Sequence, residues 1–396
     1  MVLFEGLKVI DASQGIAGPY CAKLLADYGA DVIKEEPRDG DFARRLEPVQ
    51  KPSIEAGGTY IYLNSNKRGI TLDLASSTSK DIFTRLAKWA DLIIESTPPD
   101  FLSFRGLGFK DLSRLNPGLV MVSITSFGQR GPYRNYKANE MIFCALGGMF
   151  IATGEPDREP LSIPLPRIQF LSGLYSYIAV LSRLFARDYK NGGGGYIDVA
   201  IVNSVISCLQ NATTVYSYSG FEWKRIGNFR PGAYPITVFE CEDGYATLVA
   251  HDEIRWKALC KLIKRPELSD DPRFKGSPLR AANREELDKI LRPWFKEKKK
   301  FEVFELGQKN GVGTGIVATP EDILHLPQHL SRKFFIEVDH QVVGHLVYPG
   351  PPFKVAGLAG NHKAAPRLGE DNYEVYGEVL GLTRGEIDRL FETKVI

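Results

Sequence analysis

Short β-rich apolar runs alternate with helical patterns through the first two hundred residues. Leu7–Asp11 (LKVID) predicts a buried strand. Pro19 then stands at a favourable first helical position, and Cys21, Leu24, Leu25 and Tyr28 make an apolar stripe that ends at Gly29. Asp31–Glu35 and Ile70–Leu74 predict further strands, and a helix from about Ser77 carries Ile82, Leu86 and Trp89 on one face. Strands at Leu92–Glu95 and Leu119–Ile124 extend the series. Strands separated by helices imply right-handed crossovers and a parallel sheet covered on both faces, so the fold class is α/β.

From Glu140 to about Arg187 the pattern, broken by glycines and prolines, predicts two long buried helices. Gly192–Gly195 then turns the chain into a strand at Tyr196–Ala200; a phosphate cradle is the other reading of that glycine run. Composition shifts at Ser217–Pro235, which is rich in Gly, Tyr, Arg and Pro. Beyond it, Ile236–Cys241 and Tyr245–Ala250 flank an Asp243-Gly244 hairpin turn, followed by helices near Ile254–Lys264, Arg284–Phe295 and Phe301–Asn310. The expected domains are a large one over 1–215, a smaller α+β domain over 220–320, and a C-terminal segment over 321–396. That last segment holds a hairpin, Phe334–Asp339 with Val342–Tyr348, and two amphipathic helices.

A chain of 396 residues is long enough for two domains without disulfides. Fifty basic against 48 acidic residues give +2, no electrostatic reason to expect nucleic acid or an anionic membrane as partner. Five scattered cysteines without a CxxC pair point to a reducing cytoplasm, and six histidines without HExxH spacing give no metal site. The first residues lack a signal-peptide pattern, and the near-apolar run Ile142–Ala152 is too short to span a bilayer.

Candidate chemistry begins at the first strand–helix turn, Ser13-Gln14-Gly15-Ile16-Ala17-Gly18-Pro19. Small residues let a ligand approach the backbone and the helix start offers free N–H groups, although such a turn is also an ordinary tight connection. Four segments then carry a resemblance. They are LKVIDASQGIAGPYCAKLLADYGADVIKEEPRDGD from residue 7, YLNSNKRGITLDL over 62–74, FRGLGFKDLSRLNPGLVMVSITSFGQRGPY over 104–133, and AAPRLGEDNYEVYGEVLGLTRGEIDRL over 364–390. Together, and in this order, they resemble the CaiB/BaiF, or class III, CoA-transferase family across nearly the whole chain.

The resemblance implies a Rossmann-like large domain built from both ends of the chain, a smaller domain between them, and two subunits interlocked like linked rings. It implies coenzyme A or its acyl thioesters as substrate rather than a tightly bound cofactor. By motif position the candidates for CoA phosphates are Arg38, Lys67, Arg68, Arg105 and Lys137, with solvated or ion-paired surface residues as the bland reading, and Asn66 is a further CoA-binding candidate. Gln14 and Ala17 match residues that line the pantetheine and thioester end.

The family's nucleophilic aspartate stands four residues before a glycine at the head of a long helix. Here that place, in PRIQFLSGLY, holds Gln169, four residues before Gly173, and no aspartate occurs from Arg158 to Arg187. The covalent relay needs an ionised oxygen, which a neutral amide does not supply. Glu140 matches a second acidic residue, suited to positioning a carboxylate or exchanging a proton; a buried, salt-bridged glutamate is the other reading. The racemase branch of the family has a His-Asp pair where this chain has Asn139-Glu140.

Three functional readings follow. The leading one is the aspartate-lacking subunit of a heteromeric transferase, of the kind found in anaerobic aromatic degradation, moving CoA from a dicarboxylic acyl-CoA such as succinyl-CoA to a carboxylic acid. An Asp-bearing homologous subunit is then its partner. The others are an acyl-CoA racemase or isomerase using Glu140, and a non-enzymatic acyl-CoA-binding pseudoenzyme.

Overall fold

The computed structural model describes residues 3–49, 52–190, 192–357 and 362–396. Its chain divides into two compact units, Met1–Met149 with Ser162–Gly220 and Lys333–Ile396, and Phe150–Leu161 with Phe221–Arg332. The second unit thus runs on to Arg332 and takes in a stretch from between the two expected central helices.

The first unit is a mixed α/β fold on a six-stranded parallel sheet. Its strands are β1 (Lys8–Ala12), β2 (Asp31–Glu36), β3 (Arg68–Thr71), β4 (Leu92–Glu95), β5 (Val120–Thr125) and β6 (Gly195–Ala200), in the order β3-β2-β1-β4-β5-β6. All six residues of β5 are buried, the continuous burial of a strand covered on both faces. On one face, Ile10, Ile33, Ile70, Ile93 and Met121 pack with Phe83 and Leu86 of the Ser79–Trp89 helix and with Val375, Tyr376 and Ile387 from the chain's end.

That returning segment closes the open edge of β3. Asp371 accepts from Gly69 N–H at 2.5 Å, Asn372 accepts from Thr71 N–H at 2.9 Å, and Tyr376 donates to the Thr71 carbonyl at 2.6 Å. Side chains 300 residues downstream therefore satisfy the ladder groups that an edge strand leaves unpaired.

The central helices differ from expectation. In place of two long buried helices, there is α5 (Glu140–Leu146) and then α6 (Arg167–Lys190), following α1 (Ala17–Asp27), α2 (Gly58–Leu63), α3 (Ser79–Trp89) and α4 (Phe109–Leu115). Gly148 and Gly154, at φ of 83° and 119°, break the path between them. By length and composition α6 could cross a membrane, yet it buries Ile168, Ser172, Ser176, Val180 and Leu184 along one stripe, as a core helix does. Its outward Leu174, Ile178 and Phe185 are exposed in the single chain, at 39, 50 and 57%. Two further helices, α7 (Ile201–Cys208) and α8 (Gln210–Ser219), follow β6.

The second unit holds an antiparallel sheet of β7 (Ile236–Cys241), β8 (Gly244–Val249) and β9 (Gly313–Ile316). Helices over Glu253–Leu262, Arg284–Lys296 and Lys300–Lys309 cover it, with Trp256, Phe239, Phe295 and Leu291 at the centre of its core.

Candidate functional site

The sheet order reverses between β1 and β4, and ligands of open α/β sheets bind beyond the carboxyl ends of the strands at such a point. An open cleft of about 1080 Å³ lies there, lined entirely by the first unit. Gln14 and Ile16 come from the turn after β1, Ser96–Pro99 from the end of β4, and Ile124–Ser126 from the end of β5. Phe42, Lys137, Asn139, Glu140 and Gln169 complete the working surface.

Buried charge fixes the turn that forms the cleft's floor. Gly15, at φ 83°, donates its N–H to Asp41 at 2.9 Å, and the Phe42 ring occupies the space a Cβ there would need. Gln14 N–H donates to Ser96 Oγ at 2.9 Å, tying the turns after β1 and β4 together. Beneath them Lys34 pairs with Asp41 at 3.1 Å and donates to the Ser13 carbonyl, while Lys67 pairs with Asp11 at 2.7 Å. Burial raises the Asp11 carboxyl, but Lys67 and Lys34 outweigh it and hold the group below its ordinary value. Burial brings the Lys67 ammonium down to about 8 despite Asp11.

Gln169 and Glu140 meet where two helices begin. Asn139 caps α5 by accepting from Ile142 N–H at 3.2 Å, which places Glu140 in its first turn. The Glu140 carboxylate reaches the start of α6, accepting from Ile168 N–H at 2.6 Å and from the Gln169 side-chain amide at 3.5 Å. Burial pushes the Glu140 carboxyl up, and hydrogen bonds from the Ile168 backbone and from the Gln169 side chain and backbone pull it back only in part. Close packing seats α6: a Cβ added at Gly173 would lie 2.5 Å from the Ala17 carbonyl, so only glycine lets α1 and α6 approach so near. Tyr20 and Phe170 meet edge-on at 4.8 Å beside it.

Of the residues singled out from sequence, Gln14, Lys137, Glu140 and Gln169 line this one cleft. Ala17 does not line it; its carbonyl faces Gly173 instead. Lys67 does not line the cleft: its ammonium is buried and bonded to Asp11, the Pro19 carbonyl and Asn64, where it acts as an internal counter-charge. Arg68 lies off the cleft and forks onto Asp31 at 2.8 Å with Glu374 at 3.0 Å. Asn66 bonds Asp27 at 2.8 Å and Lys363 N–H at 2.7 Å, and Arg105 stacks on Phe101 at 3.8 Å while donating to its carbonyl. Arg38 is exposed and also outside the lining. Motif position missed Phe42, Ser96, Thr97 and Thr125, which do line it. Among the described residues no cluster of His, Cys, Asp and Glu could hold a metal ion.

A parallel sheet with a switch-point cleft, a turn of small residues and a carboxylate–amide pair at two helix starts makes this an open-sheet α/β protein with a cleft at its strand ends. Residues 4–372 match the model of CoA-transferase family III, and the chain belongs to that family. It is 31% identical over 395 residues to succinyl-CoA:glutarate CoA-transferase of Mus musculus, covering 99% of this chain and 90% of that one. Succinyl-CoA:(R)-benzylsuccinate CoA-transferase subunit BbsE of Thauera aromatica is 30% identical over 405 residues, covering 98% and 96%. A solved CAIB/BAIF family protein from Brucella suis superposes with a TM-score of 0.86 at 31% identity, covering 96% and 99%. CoA-transferases, the family to which the chain belongs, use CoA thioesters as substrates.

Proposed function

We propose that this chain is the non-nucleophilic subunit of a class III CoA-transferase, passing CoA from a dicarboxylic acyl-CoA such as succinyl-CoA to a carboxylic acid. A homologous partner, interlocked with it, supplies the attacking aspartate. One observation carries the reading: Gln169, at the family's nucleophile position, lines the cleft with its amide donating to Glu140. An amide oxygen is too weak a nucleophile to open a thioester, and the Glu140 carboxylate is engaged by Ile168 N–H. Glu140 then positions the acyl carboxyl or exchanges a proton, and Gln14 and Lys137 face the CoA arm.

The Thauera aromatica relative is itself a subunit of its enzyme, which supports a partner of this kind. Exposed apolar side chains support it too: Met141 and Leu146 on α5, Ile178 and Phe185 on α6, and Tyr216 and Tyr218 on α8. The described cysteines are free, in keeping with a reducing cytoplasm.

The test compares the chain purified alone with the assembly it forms in its source cells. Alone, it should turn over succinyl-CoA with dicarboxylate acceptors about 10⁴-fold more slowly than the assembly, the scale of losing a nucleophile. Native mass spectrometry should find it with an equimolar family chain bearing the aspartate. Full turnover by the homomer would overturn the reading, and deuterium entering the acyl α-carbon would favour an isomerase instead.

A further inference from the structure

The hydroxyls at the rim of the cleft are not equivalent. Ser96 Oγ accepts from Gln14 N–H at 2.9 Å, and Thr97 Oγ1 donates to Glu95 at 2.6 Å. Thr125 ends β5, paired with Ala200 of β6, and lines the same cleft. The residue is only 8% exposed and its Oγ1 is closed to solvent, yet that oxygen has no hydrogen-bond partner among the described residues. Buried hydroxyls are nearly always matched, because an unmatched one loses its water bonds and gains nothing. Valine has the same shape and branches at the same carbon, so packing and strand propensity alone do not require threonine here.

We infer that Thr125 contacts the ligand directly: by a turn about its Cα–Cβ bond, its hydroxyl leaves the solvent-closed position it holds here and donates a hydrogen bond to an oxygen of the acyl-CoA bound in the cleft. The inference rests on the cleft taking an acyl-CoA, as proposed above. Such a ligand offers two kinds of acceptor oxygen, the carbonyls of its thioester and pantetheine arm and the carboxylate of a dicarboxylic acyl group. Either would give the hydroxyl the partner that the protein withholds. The cost of keeping it unmatched falls on the empty protein, and the return comes on binding.

A ligand-contact role and an ordinary structural role then predict different responses to Thr125→Val. The full chain, in the assembly it forms, is titrated with CoA and separately with succinyl-CoA by calorimetry, and its ligand-free melting temperature is measured. Thr125→Val should weaken binding about tenfold, equivalent to about 1.4 kcal/mol, while leaving the ligand-free melting temperature unchanged or higher. Thr125→Ser, which keeps the hydroxyl, should bind within about threefold of the unmodified protein. An equal loss for both ligands places the contact on the CoA arm; a loss for succinyl-CoA alone places it on the acyl carboxylate. Unchanged affinity in Thr125→Val overturns the inference, as does a lowered ligand-free melting temperature, which would reveal a partner within the fold. Failure of the unmodified protein to bind either ligand is a separate outcome: it removes the acyl-CoA reading of the cleft and this inference with it.

Discussion

Gln169→Asp is expected to raise the transferase turnover of the chain purified alone by about 10³-fold or more, with a hydroxylamine-sensitive CoA adduct at that position. Three features of the site favour this gain. Gln169 is the third residue of α6, where the helix end stabilises a negative charge. Its side chain already reaches the cleft within 3.5 Å of the Glu140 carboxylate. The close contact at Gly173 holds that stretch of α6 against α1, so the new carboxylate starts from a fixed backbone. One feature opposes it: the like charge on Glu140 pushes the new aspartate's pKa up, so activity should rise with pH across the range where that group ionises. Gln169→Asn keeps the amide and should stay as inactive as the unmodified chain. An inactive Gln169→Asp that still binds acyl-CoA would show that residue 169 is not where the chemistry was lost.

The largest effect on stability is expected at Arg44. Its guanidinium forks onto Glu36 at 2.7 and 2.8 Å, reaches Glu55 at 2.6 Å and the Pro366 carbonyl at 3.2 Å, and lies 3.6 Å over the Tyr60 ring. One buried cation thus joins β2, the turn carrying Phe42, the segment before α2 and the returning C-terminal chain. Arg44→Ala strands the Glu36 carboxylate in the core, and breaking a buried pair in this way costs about 3–5 kcal/mol. The pH dependence should change sign with it. Burial raises Glu36, but the Arg44 bonds more than offset this and its carboxyl lies below the ordinary value. Its pairing therefore stabilises above the unfolded pKa, and the gain is lost as pH falls through the folded one. Without Arg44 burial prevails, the folded carboxyl holds its proton more tightly than the unfolded one, and the variant should be least unstable in mild acid. Denaturant unfolding at several pH values reads both effects. A loss under about 1 kcal/mol, flat with pH, would mean that solvent reaches Glu36.

How much of this was legible in the sequence follows from how local each signal is. Five of the six strands could be placed because a buried strand is a short apolar run that needs no distant partner to be recognised, and the sixth, Gly195–Ala200, with no buried residue, because a glycine turn precedes it. The helix α8 was not anticipated, since Gln210-Asn211-Ala212-Thr213-Thr214 has no apolar stripe and its Asn and Thr are weak helix formers. The two long buried helices failed for the opposite reason: apolar content was high, but glycines at positive φ divided the run, and part of its apolar surface faces outward. Gln14, Lys137, Glu140 and Gln169, picked out by motif position, line the cleft. The ion pairs of Lys67 and Arg68 were not legible, because sequence does not say which way a cation faces. Their partners, Asp11 and Glu374, stand 56 and 306 residues away. Thr125 gave no signal at all, since its interest lies in a bond it does not make.

The most direct test of the central claim is where the covalent CoA adduct forms. The intact assembly is mixed with succinyl-CoA without an acceptor, quenched, and each chain is weighed and digested. The account predicts an adduct on an aspartate of the partner chain and an unmodified peptide spanning Pro166–Arg183 here. An adduct on this chain, at Glu140 or elsewhere, would contradict it.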